Sequence, residues 1–130
     1  MSTVLPIVAL VLEGLMGVFA AYAAYSLFTM TPPSLAKQRE ALHYPRWYWN
    51  LAGVMATIGA IGLFVGLVVP AVGAAAAIWM VCYFIVATLT HLVRGDMANL
   101  AMPIIFLVVF VGLVALRGSD VTTLLAAVGL

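Results

Sequence analysis

Nine charged residues in a chain of 130 fall into small groups separated by long uncharged stretches, and that spacing constrains the fold more than any other feature. Lys37, Arg39, Glu40 and Arg46 form one group, Arg94 and Asp96 a second, Arg117 and Asp120 a third; Glu13 alone lies inside an apolar run. Between Arg46 and Arg94 lie 47 uncharged residues, and between Asp96 and Arg117 another 20. A helix needs about 20 mainly apolar residues to cross a hydrocarbon core about 30 Å thick. The 47-residue stretch is therefore too long for one crossing and sufficient for two, with Pro70 as the divider. The first run ends at Thr31-Pro32-Pro33, because proline removes a donor and disfavours helix in the residue before it. Pro103 falls in the first turn of the last run, where a missing N–H costs little. The expected spans are residues 4–30, 48–69, 71–93 and 98–116. Together they predict an all-α, integral membrane four-helix bundle, one domain over residues 1–130.

Composition supports the same reading. The chain is 67% hydrophobic and 7% charged, with a mean hydropathy of +1.27, whereas about half apolar residues is typical of a globular domain. The excess is expected to face lipid. A net charge of +1 leaves no basic patch to neutralise phosphates, which argues against a nucleic-acid partner. The single cysteine, Cys82, allows neither an internal disulfide nor dithiol chemistry and reads as a small buried hydrophobe. No Lys or Arg precedes the first apolar run and Glu13 interrupts it, so it reads as a retained helix and not a cleaved signal.

At the turns, residues 34–42 resemble a short interfacial helix with Ser34 as N-cap. Tyr44, Trp47, Tyr48 and Trp49 follow; Trp and Tyr prefer the headgroup level, so these four are expected to anchor one membrane face. A ligand-stacking role is the alternative. The ten apolar residues after Asp120 are too short to cross and are expected at the interface. Lys37, Arg39, Arg46 and Arg94 follow the first and third spans, and the opposite side holds only Arg117. The positive-inside rule then puts those loops in the cytoplasm and both termini outside.

Small residues at helical spacing (Gly14, Gly17, Ala20, Ala21 and Ala24; Ala52, Ala56 and Ala60; Gly62 and Gly66; Gly73 to Ala77) predict close helix packing. Glu13 shares the face of Gly17 and Ala20. At 1.5 Å per residue it lies about 14 Å into its span, which suggests a midplane depth shared with Thr57 and with Cys82 or Tyr83. A buried carboxyl is expected neutral unless a cation or water reaches it. Glu13 and Thr57 are thus candidates for a proton site, or for interhelical glue. At the cytoplasmic end, Tyr25, Asn50, His91 and Asn99, with Asp96 and His43 nearby, are candidates for a polar pocket, or for an interfacial hydrogen-bond cluster. No motif assembles a nucleophile, base and orienter, a metal ligand set or a phosphate loop, so no catalytic residue, metal or cofactor is assigned.

Several short motifs resemble the DoxX-like family of small four-helix membrane proteins. They are Leu42-His43-Tyr44-Pro45-Arg46-Trp47, Gly53, Gly59-Ala60-Ile61-Gly62-Leu63, Pro70, Thr90-His91-Leu92-Val93-Arg94-Gly95-Asp96, Pro103 and Arg117. Family members often carry a Glu just after the glycine that aligns with Gly53; here that stretch reads Val54-Met55-Ala56, and the intramembrane acid is Glu13. The resemblance implies a multi-pass protein of a bacterial plasma (inner) membrane, and a non-catalytic subunit or accessory component of a redox or envelope complex. Its partners would be the lipid bilayer and other membrane subunits or further copies of the chain. Two alternatives stand beside it. One is a proton-coupled small transporter, since small multidrug transporters share the size and an early Glu. The other is a bundle binding a quinone or lipid near His91.

Overall fold

The computed structural model describes residues 4–31 and 33–130, with the side chains of Ser34 and Ala41 outside that set. The described residues form six α-helices: α1 (Val4–Thr29), α2 (Pro33–Leu42), α3 (Arg46–Val65), α4 (Pro70–Val93), α5 (Ala101–Leu116) and α6 (Gly118–Ala127). Among the described residues four segments are long and apolar enough to cross a membrane: α1, α3, α4, and Met97–Leu116, which joins a short 3-10 turn to α5. The expected N-cap Ser34 falls within α2, which starts at Pro33, and its side chain lies outside the described set.

The second crossing is shorter than its hydropathy suggested. α3 stops at Val65, and residues 66–69 make the reversal through Gly66 N–H to the Gly62 carbonyl and Val69 N–H to the Val65 carbonyl. Pro70 opens α4 as its first residue, a position whose N–H has no intrahelical partner in any case. Apolar turn residues are indistinguishable from span residues by hydropathy, which is why the boundary falls earlier than expected.

α1 packs against α3, α3 against α4, α4 against α5, and α5 more sparsely against α1, closing the ring. One stripe of α1 faces inward (Ala9, Glu13, Gly17, Ala20, Ala24, Leu27). The opposite stripe, Val11, Leu15, Val18, Tyr22 and Tyr25, is exposed. Large outward side chains are unexceptional here, because lipid is as apolar as leucine and association rests on close packing. Glycines set the register. Gly17 receives the Phe64 ring and Gly53 the Phe28 ring, while a Cβ at Gly62 would lie 2.7 Å from that of Ala76. The central core joins Ala20, Leu63, Met80, Phe84, Phe110 and Leu113, with the Phe84 and Phe110 rings stacked at 5.6 Å. A second core, of Ala24, Leu27, Leu42, Trp49 and Ala56, ties α2 to the bundle through Leu42.

Candidate functional site

Two polar constellations occupy opposite ends of the bundle. The first is built on Glu13, which is fully buried. Arg117, the residue between α5 and α6, turns its side chain inward: Nε donates to Glu13 Oε1 at 3.2 Å and Nη2 to Oε2 at 3.1 Å. This fork-to-fork geometry satisfies both carboxylate oxygens and both charges. Asp120 lies 3.7 Å from the outer guanidinium nitrogen. Glycine makes room for the carboxylate, since a Cβ at Gly73 would sit 2.5 Å from Oε1 and one at Gly66 would sit 3.0 Å from Oε2. The cation that a buried carboxylate requires is supplied from within the chain.

This placement corrects the midplane expectation. Gly66 caps α3 and Gly73 lies in the first turn of α4, so Glu13 is level with the α3–α4 hairpin. The register is set by the contacts of Gly17 with Phe64 and of Gly53 with Phe28, which leave the start of α1 projecting beyond the hairpin. Counting residues from the beginning of a span assumes flush helix ends, and these ends are not flush. Thr57 does not join Glu13; its hydroxyl donates to the Gly53 carbonyl of its own helix at 2.8 Å. Cys82, expected to be buried, is exposed.

The second constellation ends α4. Gly95 adopts φ +70°, its N–H donates to the Leu92 carbonyl, and Asp96 N–H donates to the His91 carbonyl at 2.9 Å. These two bonds form a Schellman cap, which glycine permits without a Cβ clash. The cap folds Asp96 back over His91, whose Nδ1 meets Oδ2 at 2.9 Å. A carboxylate only accepts, so Nδ1 carries the proton and Nε2 is left outside the pair. Asn99 Nδ2 donates to both Asp96 oxygens at 3.0 Å. Burial pushes the Asp96 carboxyl up, but the hydrogen bonds from Asn99 and His91 and attraction to the His91 ring outweigh it, leaving its pKa below the usual carboxylate value.

Of the four residues expected to make a polar pocket, only His91 and Asn99 share a partner, Asp96. Tyr25 is 59% exposed on the outer stripe of α1, about one helical step from the buried Ala24, and points away from the bundle. Asn50 instead accepts from Arg46 Nε at 3.2 Å. The aromatic cluster divides in the same way. Trp47 is 65% exposed and Trp49 only 6%, because two residues of helix turn a side chain through more than half a revolution. Trp49 therefore belongs to the core and not to the interface. Tyr44 stacks on Tyr48 at 4.3 Å and carries the Arg94 guanidinium on its ring at 4.4 Å. The Tyr48 hydroxyl hydrogen-bonds Thr90 Oγ1, whose own hydroxyl donates to the Val86 carbonyl at 2.9 Å. Among the described residues no group of three His, Cys, Asp or Glu side chains lies close enough to hold a metal ion.

The fold and its internally paired polar groups define a small all-α, multi-pass membrane protein. The family model of the DoxX-like family matches residues 11–113, most of the chain, and the chain belongs to that family. Glu13 and the His91–Asp96–Asn99 cap fall within the matched segment, whereas Arg117 lies four residues beyond it. Comparison with curated proteins and with solved structures gives no significant match.

Sequence reading missed the Glu13–Arg117 pair although a signal for it was present. Four antiparallel crossings return the end of the last helix to the membrane side on which the first begins, so the lone intramembrane acid and the lone basic residue of that side fall at the same end of the bundle.

Proposed function

We propose that the chain is a non-catalytic subunit or accessory component of a larger membrane complex in a bacterial plasma membrane. The observation that carries this reading is the engagement of Glu13. The one acid within a span is held by Arg117 and a glycine cradle, as befits a structural fastening between the first and last helices. Such a bundle offers rigid outer faces to lipid and to neighbouring subunits. We also place the α2 end in the cytoplasm with both termini outside, because four of the five basic residues, Lys37, Arg39, Arg46 and Arg94, lie at that end and only Arg117 at the other. Purification from the native host in mild detergent is expected to recover stoichiometric membrane partners or a defined self-assembly. A solitary monomer would contradict the proposal.

A proton-coupled transporter would require Glu13 to exchange Arg117 for substrate and proton in each cycle. Full retention of any transport or resistance phenotype in Glu13→Gln would eliminate that reading. A lipid- or quinone-binding bundle is favoured by one specific feature, an apolar groove of about 540 Å³ on the outer side of α3 and α4, lined by Met55, Ile78, Trp79, Cys82, Tyr83 and Val86. Its location differs from the expected pocket at His91. Mass spectrometry of the purified protein should then find a bound quinone or lipid that is lost in Ile78→Trp; equal retention in the variant would exclude this groove.

A further inference from the structure

At the α2 end, a cleft of about 590 Å³ opens between the end of α1, the second half of α2 and the start of α3, with Met30, Arg39, Glu40, His43, Tyr44 and Arg46 among its walls. We propose that this cleft binds a phosphoryl group, that of an anionic phospholipid headgroup.

Charge is the first argument. Four of the five Lys and Arg residues, Lys37, Arg39, Arg46 and Arg94, belong to this end, while the fifth, Arg117, is buried in an ion pair at the other. Within the cleft itself Arg39 and Arg46 face one acid, Glu40, so its walls carry a net charge of about +1 before His43 is counted. Neither arginine forms an ion pair with a carboxylate among the described residues. A guanidinium without an acid partner is the side chain best shaped to grip phosphate oxygens.

Preorganisation is the second. Arg46 is not a loose surface charge. Its Nη2 donates to the Phe28 carbonyl in the last turn of α1 at 2.5 Å, and its Nε to Asn50 Oδ1 at 3.2 Å. The head is thereby fixed, with Nη1 free of both bonds. Both turns that shape the cleft also place a non-glycine residue in the left-handed region, Met30 at φ 56° and His43 at φ 59°. Such residues persist where the surrounding structure over-determines them.

Depth is the third. Arg46 reaches the last turn of α1, and the next residue, Trp47, projects outward beside the Arg94–Tyr44–Tyr48 stack. Exposed Trp and Tyr mark the headgroup level, and basic pockets between helices at that level take anionic lipid headgroups. Glu40 discriminates by charge. A phosphodiester, with one negative charge, matches a net +1 cleft better than dianionic inorganic phosphate does.

The test uses the full chain in nanodiscs of phosphatidylcholine with and without phosphatidylglycerol, read by native mass spectrometry and thermal unfolding. Wild type is expected to retain phosphatidylglycerol and to be stabilised by it. Arg39→Gln, which removes no hydrogen bond of the fold, is expected to retain about five-fold less, the factor for one basic contact at an anionic surface. Lys37→Gln, outside the cleft, serves as the control and is expected to match wild type. Equal loss in the Arg39 and Lys37 variants would show diffuse surface attraction and overturn the site, as would indifference to phosphatidylglycerol. Millimolar inorganic phosphate, added to the phosphatidylcholine discs, separates the sources. Stabilisation of wild type but not of Arg39→Gln by phosphate alone would overturn the lipid assignment in favour of a soluble anion.

Discussion

Replacing Arg117 and Glu13 singly and together measures the fastening between the first and last helices. Arg117→Gln would leave the Glu13 carboxylate facing Gly66 and Gly73 with neither of its two donors. Removing one partner of a buried ion pair costs about 3–5 kcal/mol. Glu13→Gln is milder, because Arg117 keeps Asp120 at 3.7 Å; the loss of charge-assisted bonding should cost about 1.5–3 kcal/mol. In the double variant neither charge is stranded, so its cost should fall below the sum of the singles by about 2 kcal/mol, within the range found for residues in contact. Reversible unfolding in mixed micelles titrated with SDS, followed by tryptophan fluorescence, yields all three values. Additivity within about 0.5 kcal/mol, the behaviour of independent sites, would refute the buried pair as a coupled unit.

Gly73→Ala should destabilise by about 1–3 kcal/mol, because its Cβ would meet Glu13 Oε1 at 2.5 Å in a packed core. Gly14→Ala, with open space around the new methyl group, should instead be neutral or gain up to about 1 kcal/mol in helix propensity, measured in the same titration. Gly95→Ala also has open space, so any cost would come from its φ of +70°; about 1–2 kcal/mol is expected, with faster hydrogen exchange at the Asp96 amide. The Asp96 carboxyl has a lowered pKa in the fold. Its contribution is therefore fully present above the unfolded value of about 3.9 and is lost as pH falls through the lower folded value. Protection of the Asp96 amide, corrected for intrinsic exchange, should fall below about pH 4 in wild type and stay flat in Asp96→Asn.

The sequence by itself determined the fold class, because it depends on composition along the chain. Charges confined to turns, runs long enough to cross a bilayer, and prolines at helix starts all act locally. The end of α4 at Val93, just ahead of Arg94 and Asp96, was legible for the same reason. What the sequence left open depended on register and rotation, which are properties of helix pairs. Glu13 moved from midplane to the hairpin level because the contacts of Gly17 with Phe64 and of Gly53 with Phe28 offset α1 from α3. Tyr25 turned out of the pocket and Trp49 into the core because 100° per residue separates neighbours that a linear motif groups together. The Glu13–Arg117 pair spans almost the whole chain, and only the tertiary structure, by bringing helix ends together over a pair of glycines, decided that these two charges neutralise each other.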